Sequence, residues 1–266
     1  MAVDGAVSGR DRILAAVQHK ELDRVPFDLG GGPATGIYAR VYEKVVRLLG
    51  LSDPNPQISE TELLANPSED VLRYLGVDAR GISLRPGPRS EIREVDGGYE
   101  YTDEWGRVLR RPYEGLYWDF VGFPLDDDRP LEFPEISEER FVGVEEEARK
   151  LKECSGAAMC FVDVNALGNG FLQMGAQLYG YSNWFMMLAA EPRRAAAFMD
   201  ALLEHKMGLW ERILERLGDL IDVACEADDL GTQSGLWISR DMYRRLIWPR
   251  EKKLFEFIKQ RSPGIH

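Results

Sequence analysis

Residues 157–170 read AAMCFVDVNALGNG, and this stretch decides the fold. The first eight are nearly all apolar, as a strand covered on both faces requires. The glycine-rich turn at 165–170 then leads into a helical pattern through Tyr179. Strand, turn and helix in that order form the unit of a parallel sheet. The same unit recurs downstream. A short helix is expected at 183–189. Pro192 opens a long helix carrying Phe198, Leu202, Leu209, Ile213 and Leu217 as its apolar stripe, and Gly218 stops it. An apolar strand at 220–225 follows. A last helix is expected over 239–260, with Pro249 kinking or splitting it.

Upstream, the period predicts a helix at 10–19 and a short strand at 24–28, which runs into Gly30-Gly31-Gly32-Pro33. A further helix is expected at 36–49, stopped by Gly50. Asn66, Pro67 and Glu69 have the spacing of a capping box, with Asn66 as the cap and Pro67 in the first turn. That helix ends at Gly76 and a strand follows at 79–84. Residues 90–111 change character. Short alternating runs separated by Asp96-Gly97 and Trp105-Gly106 read as an antiparallel meander inserted into the α/β pattern. Residues 112–136 are rich in aromatics and proline and are expected as a long loop over one face. A charged helix is expected at 137–153. About four strands are of barrel type, where a closed barrel needs eight. The expectation is a single (β/α) barrel domain over 1–266 that lacks its last strands.

The chain has 266 residues, 44% hydrophobic, and a net charge of −12. That length can bury one sizeable core. So acidic a chain repels phosphate backbones and anionic lipid, which argues against nucleic acid and membrane partners. The three cysteines, Cys154, Cys160 and Cys225, include no CxxC pair and define no disulfide framework. Together with the lack of a signal-peptide pattern at the start, this makes the cytoplasm the expected location.

Catalytic groups of a barrel sit where its strands end. Glu226-Ala227-Asp228-Asp229-Leu230-Gly231-Thr232-Gln233 leaves the strand at 220–225 with three carboxylates, which raise one another's pKa and can share a proton or hold a polar substrate. Asp228 and Asp229 are the catalytic candidates and Gln233 a binding one. The plainer reading makes either aspartate a turn cap facing water. Asn165 and Gln177, on and after the turn at 165–170, are candidates for lining a pocket. Gly30 and Gly31 could cradle an anion with backbone N–H groups, although no Lys-Ser/Thr follows and a nucleotide loop is excluded. Tyr117 belongs to the aromatic stretch that could sandwich a flat or methoxylated ring, or simply form a satellite cluster under a loop. The histidines and cysteines show no metal-ligand spacing. His205 reads as a helix-face residue, and Cys160 and Cys225 as core.

Arg10-Asp11-Arg12-Ile13-Leu14-Ala15-Ala16, Asp23-Arg24-Val25-Pro26, Asp103-Glu104-Trp105-Gly106-Arg107-Val108 and Asp228-Asp229-Leu230-Gly231-Thr232-Gln233 together resemble the uroporphyrinogen decarboxylase superfamily, in particular its corrinoid-dependent methyltransferase branch. The resemblance implies a (β/α)8 TIM barrel with a pocket at its C-terminal end. It implies methyl transfer between a small methylated substrate, such as an O-methyl aromatic, or a thiol, and a corrinoid carried by a partner protein. Zinc as a thiol-activating metal and a homodimer are implied by the resemblance alone. The runner-up is porphyrinogen decarboxylation. Against it, the loop at 30–36, GGGPATG, lacks the arginines that the resemblance implies for holding substrate carboxylates. A third reading is a barrel-derived binding or interaction module without catalysis.

Overall fold

A computed structural model describes residues 7–53, 57–58, 63–125 and 132–266. Its centre is a parallel sheet of three strands, β4 (Ala79–Ile82), β9 (Ala158–Phe161) and β10 (Val223–Ala224), with β9 in the middle. β9 is buried at every position, so apolar residues on both of its faces meet helices rather than water. Its register sets Ile82 and Ala224 on either side of Phe161. Helices α1 (Gly9–Val17) and α4 (Val144–Ser155) pack directly on it, and α5 (Phe171–Tyr179), α7 (Pro192–Leu217) and α9 (Trp248–Arg261) complete the same hydrophobic core. Between them they bury Met159, Phe161, Phe171, Trp184 and Trp210 almost completely. Each such side chain contributes roughly 1.5–3 kcal/mol or more through the apolar surface it removes from water.

A closed barrel is not present among the described residues, which corrects the expectation of a (β/α)8 architecture. Two further segments lie against the edges of the sheet. The Asp78 N–H donates to the Phe27 carbonyl on one edge of the sheet, and the His266 N–H donates to the Asp222 carbonyl on the other. The expected strand at 24–28 therefore lies against β4 without forming a ladder. A Cβ at Gly81 would stand 2.7 Å from the Gly30 carbonyl oxygen, so only glycine admits this approach. Asp78 explains the missing ladder. Its carboxylate accepts from Arg12, from Arg24 and from the Phe27 N–H, so side-chain bonds hold the segment in place.

The meander forms as expected and is longer by one strand. β5 (Arg93–Val95), β6 (Gly98–Thr102), β7 (Val108–Pro112) and β8 (Asp119–Gly122) pair in sequence order. β8 lies inside the stretch expected as loop. A small antiparallel sheet of β1 (Ile37–Tyr38), β3 (Leu64–Asn66) and β2 (Gln57–Ile58) flanks α2 (Ala39–Leu48). Asn66 belongs to β3 and does not cap. The N-cap of α3 (Glu69–Leu75) is Ser68, and Glu69 instead pairs with Arg73 and Arg80. The remaining helices are α6 (Tyr181–Ala190) and the short α8 (Arg240–Met242). The last expected helix is divided. A π-helical turn at Tyr243–Ile247 separates α8 from α9, in which Pro249 takes a first-turn position where its missing N–H costs nothing. No helix among the described residues is long and apolar enough to cross a membrane.

Candidate functional site

A cavity of about 370 Å³ lies between the meander and the loop that follows β9. Trp105, Tyr117, Trp118 and Phe120 supply its aromatic walls, and Glu104, Arg107, Asn165 and Asn169 its polar groups. Asn165 and Asn169 sit on the turn leaving the C-terminal end of β9, where an α/β fold collects ligand groups. Trp105 ties the two halves together. Its ring N–H donates to the Asn165 carbonyl at 2.7 Å, and its ring meets His205 edge-on with centroids 5.5 Å apart.

Glu104 is the chemically distinctive group. Its side chain is 5% exposed and paired with Arg140, itself 4% exposed, at 2.6 Å. Burial pushes its carboxyl up to about 7, outweighing the attraction of Arg140, and the negative charges of Asp163 and Asp103 add to the rise. Arg140 holds Oε2; Oε1 accepts no hydrogen bond among the described residues. A Cβ at Gly87, another lining residue, would come within 2.6 Å of both carboxyl oxygens, so glycine there keeps room for the acid. A carboxyl half-protonated at neutral pH, in a pocket with aromatic walls, is suited to donating or accepting a proton.

The polar wall behind it is a chain of fixed groups. Arg107 donates to Asp103 and to Gln177 Oε1, and Asn169 Nδ2 donates to the same Gln177 oxygen at 3.1 Å. Arg107 also lies over the Phe120 ring, 5.1 Å from its centroid. Asp163, at the end of β9, is structural: it accepts from the Leu84, Asn165 and Ala166 N–H groups, while burial raises its pKa.

Of the residues singled out from sequence, Tyr117 and Asn165 line this cavity and Gln177 stands directly behind Asn169. The others lie elsewhere. Asp228 accepts from the Leu172 and Gln173 N–H groups, both at 2.8 Å, and so caps the start of α5. Burial, helped by Glu251, still pushes its carboxyl up to about 6 against those two bonds. Asp229 and Gln233 are exposed on the turn beyond. The loop at Gly30 and Gly31 carries its own anion: the Gly31 N–H donates to Asp28 at 2.9 Å and the Gly30 N–H to the Thr35 carbonyl.

Two groups escaped the sequence reading. Lys206 is completely buried and paired at 2.7 Å with Glu226, whose other oxygen accepts from the Trp210 ring N–H. The signal was present, because position 206 falls on the buried stripe of α7 between Leu202 and Leu209, where a lysine needs a partner. The second is Glu104. It lies in the 103–108 stretch, but its raised pKa comes from burial in the folded chain, with Arg140 and Asp163, far away in sequence, pulling it down and up. His205, read as a helix-face residue, stacks on Phe133 at 4.8 Å, and burial lowers its pKa to about 4. Cys160 is buried and Cys225 half-buried. Among the described residues no group of three or more His, Cys, Asp or Glu side chains is arranged to hold a metal ion.

No known protein family's sequence profile matches the chain, and no curated protein matches it. Among solved structures, a methyltransferase from Methanosarcina mazei is similar, with 15% sequence identity and a TM-score of 0.57 over 95% of this chain and 68% of that one. At that identity the likeness is one of fold. It supports a mixed α/β architecture extending over nearly the whole chain.

Proposed function

We propose that the chain is a methyltransferase and that the cavity under the meander holds its methylated substrate. The observation that carries this reading is Glu104: a buried carboxyl with a pKa of about 7, on the wall of the cavity at the C-terminal end of β9. The fold likeness to a methyltransferase agrees with it.

The chemistry follows from that acid. When a methyl group leaves an ether oxygen, the carbon–oxygen bond breaks and the oxygen keeps the electron pair. A proton delivered there makes the departing group a neutral alcohol. Glu104, protonated in part at neutral pH, supplies the proton, and Arg140 stabilises the carboxylate that remains. The methyl carbon bonds to a nucleophile entering from the opposite side. A corrinoid on a partner protein is the acceptor that the sequence resemblance implies. Zinc does not fit the described residues, which offer no ligand cluster, so no step is assigned to it.

A cavity of about 370 Å³ is near the small end of ligand pockets, roughly 300–1,000 Å³, and suits one ring rather than four. Porphyrinogen decarboxylation is further disfavoured because Arg107 is already engaged by Asp103 and Gln177 and has little left for a substrate carboxylate. The test is a panel of methyl ethers, methyl thioethers and methylamines, each incubated with the protein and a chemically reduced corrinoid. Release of demethylated product from one class supports the reading. Binding to the cavity without product from any class, at any pH from 5 to 8, overturns it in favour of a binding module.

A further inference from the structure

The turn between β9 and α5 has two faces. Val164, Asn165 and Asn169 line the cavity. Ala166 and Leu167, 0% and 2% exposed, and the buried Gly168 form its rear. The two ends of the turn are fastened to the strand exits. The Asn165 and Ala166 N–H groups donate to the Asp163 carboxylate, and the Gly170 N–H donates to the Ala227 carbonyl. Between those ends, no backbone N–H among the described residues reaches the carbonyls of Ala166 and Gly168. Two successive side chains of α7 supply the donors instead. Lys206 Nζ donates to the Gly168 carbonyl at 3.3 Å and to Glu226 at 2.7 Å. The His205 ring bonds the Ala166 carbonyl. Its Nε2 is buried without a partner, so Nδ1 is the nitrogen that bonds and carries the hydrogen. In front, the Trp105 ring N–H holds the Asn165 carbonyl, and a Cβ at Gly168 would stand 3.0 Å from the same ring. The turn is gripped between Trp105 and α7.

We infer that Lys206 and His205 are positioning residues: they hold the Gly168 and Ala166 carbonyls from behind and so fix Asn165 and Asn169 on the cavity wall. This rests on the reading of the cavity as the substrate site. A buried ion pair is a weak device for stability, because apolar side chains of the same shape often serve as well. What Lys206 adds, and a methionine could not, is a donor aimed at the turn. Glu226 balances the ammonium charge and fixes its place, and its other oxygen is held by the Trp210 ring N–H. Neither α7 side chain lines the cavity, so both act through the backbone of the turn. Glu104 is held separately by Arg140, so loss of the clamp moves the polar wall and leaves the acid in place.

The experiment compares the wild type, His205→Phe and the double variant Lys206→Met, Glu226→Gln, each as the full chain. The double variant leaves no buried charge unmatched. His205→Phe keeps a ring against Phe133 and Trp105 and removes the N–H, so it carries the test alone where the double variant fails to fold. The first readout is hydrogen–deuterium exchange. Relative to β9, the amides of residues 164–170 are expected to speed up by about tenfold or more in the double variant and by about threefold or more in His205→Phe. A merely structural role would speed exchange evenly throughout the core. The second readout is methyl transfer from anisole, thioanisole and trimethylamine to chemically reduced cobalamin. For the compound that the wild type demethylates, kcat/KM falls by roughly ten- to a hundredfold in the double variant, the cost of a misplaced wall. Its decline through pH of about 7 keeps its midpoint, because Glu104 is untouched. Unchanged exchange in the turn, or exchange raised evenly throughout, overturns the inference. So does a loosened turn with wild-type kcat/KM. A wild type that transfers methyl from none of the three compounds counts against the methyltransferase reading, and the exchange rates still decide whether Lys206 and His205 hold the turn.

Discussion

Glu104 and Arg140 face each other at 2.6 Å with side chains 5% and 4% exposed, and the acid still rises to about 7. A single ion pair does not repay the loss of water around a carboxylate this deeply placed, and Asp163 and Asp103 add repulsion. The arrangement keeps a proton available at neutral pH beside a cation that accepts the resulting charge.

That shift has a pH signature. The ordinary carboxyl of Glu104 is at 4.5 in the unfolded chain and at about 7 in the folded one. The folded state therefore holds the proton more tightly, and stability falls as pH rises from about 4.5 to about 7, then levels off. Denaturation midpoints of the wild type and Glu104→Gln measured across pH 4 to 8 differ by this slope, while the contributions of Asp228, raised to about 6, and of His205, lowered to about 4, are common to both proteins. Carbon-13 NMR of labelled glutamate, with the variant identifying the resonance, reports an apparent pKa near 7. A resonance titrating near 4.5 contradicts the account.

Asp228 is expected to behave as a cap. Asp228→Ala strips two backbone N–H groups of α5 of their acceptor and costs roughly 0.5–2 kcal/mol in urea unfolding. Affinity for a cavity ligand changes less than twofold. Asp229→Asn, on an exposed turn, changes neither quantity. A hundredfold loss of turnover in either variant with stability intact would restore them as catalytic groups.

Lys206 and Glu226 are expected to be coupled. Lys206→Met leaves Glu226 buried with its charge unmatched, at a cost of about 3–5 kcal/mol. The double variant Lys206→Met, Glu226→Gln recovers most of that loss, because no uncompensated charge remains. Chemical denaturation of the four proteins gives the coupling energy directly. Additive losses would mean that the pair makes no special contribution.

Gly87 is expected to control the acid by volume. Gly87→Ala forces a methyl group into the space of the Glu104 carboxyl. The substitution lies away from the major core, so the expected outcome is a folded protein whose apparent Glu104 pKa moves by more than half a unit. An unchanged NMR titration contradicts this placement.

How far the sequence was legible varied with how local the cause was. β9 was readable because six consecutive apolar residues at 157–162 followed shortly by glycines leave few alternatives, and the meander because Asp96-Gly97 and Trp105-Gly106 mark its turns. The segment at 24–28 failed as a ladder strand because Asp78, some fifty residues on, binds it through its side chain. Asn66 was misplaced as a cap because pairing of β3 with β1 and β2 overrides a local capping signal. At the site, strand-end position drew attention to Asp228, and its carboxylate is consumed by the start of α5. Glu104 lies between two meander strands, where no strand-end rule points. Its raised pKa arises from burial, opposed by Arg140 and added to by Asp163, all brought about by tertiary structure.

The most direct test compares methyl transfer by the wild type and by Glu104→Gln, with a reduced corrinoid as acceptor, over pH 5 to 9. The account expects wild-type kcat/KM to fall as pH rises through about 7, and the variant to be slower by roughly a hundredfold or more, with no such fall. A variant that keeps wild-type turnover, or a wild-type profile flat through pH 7, would contradict the assignment of Glu104 as the proton donor.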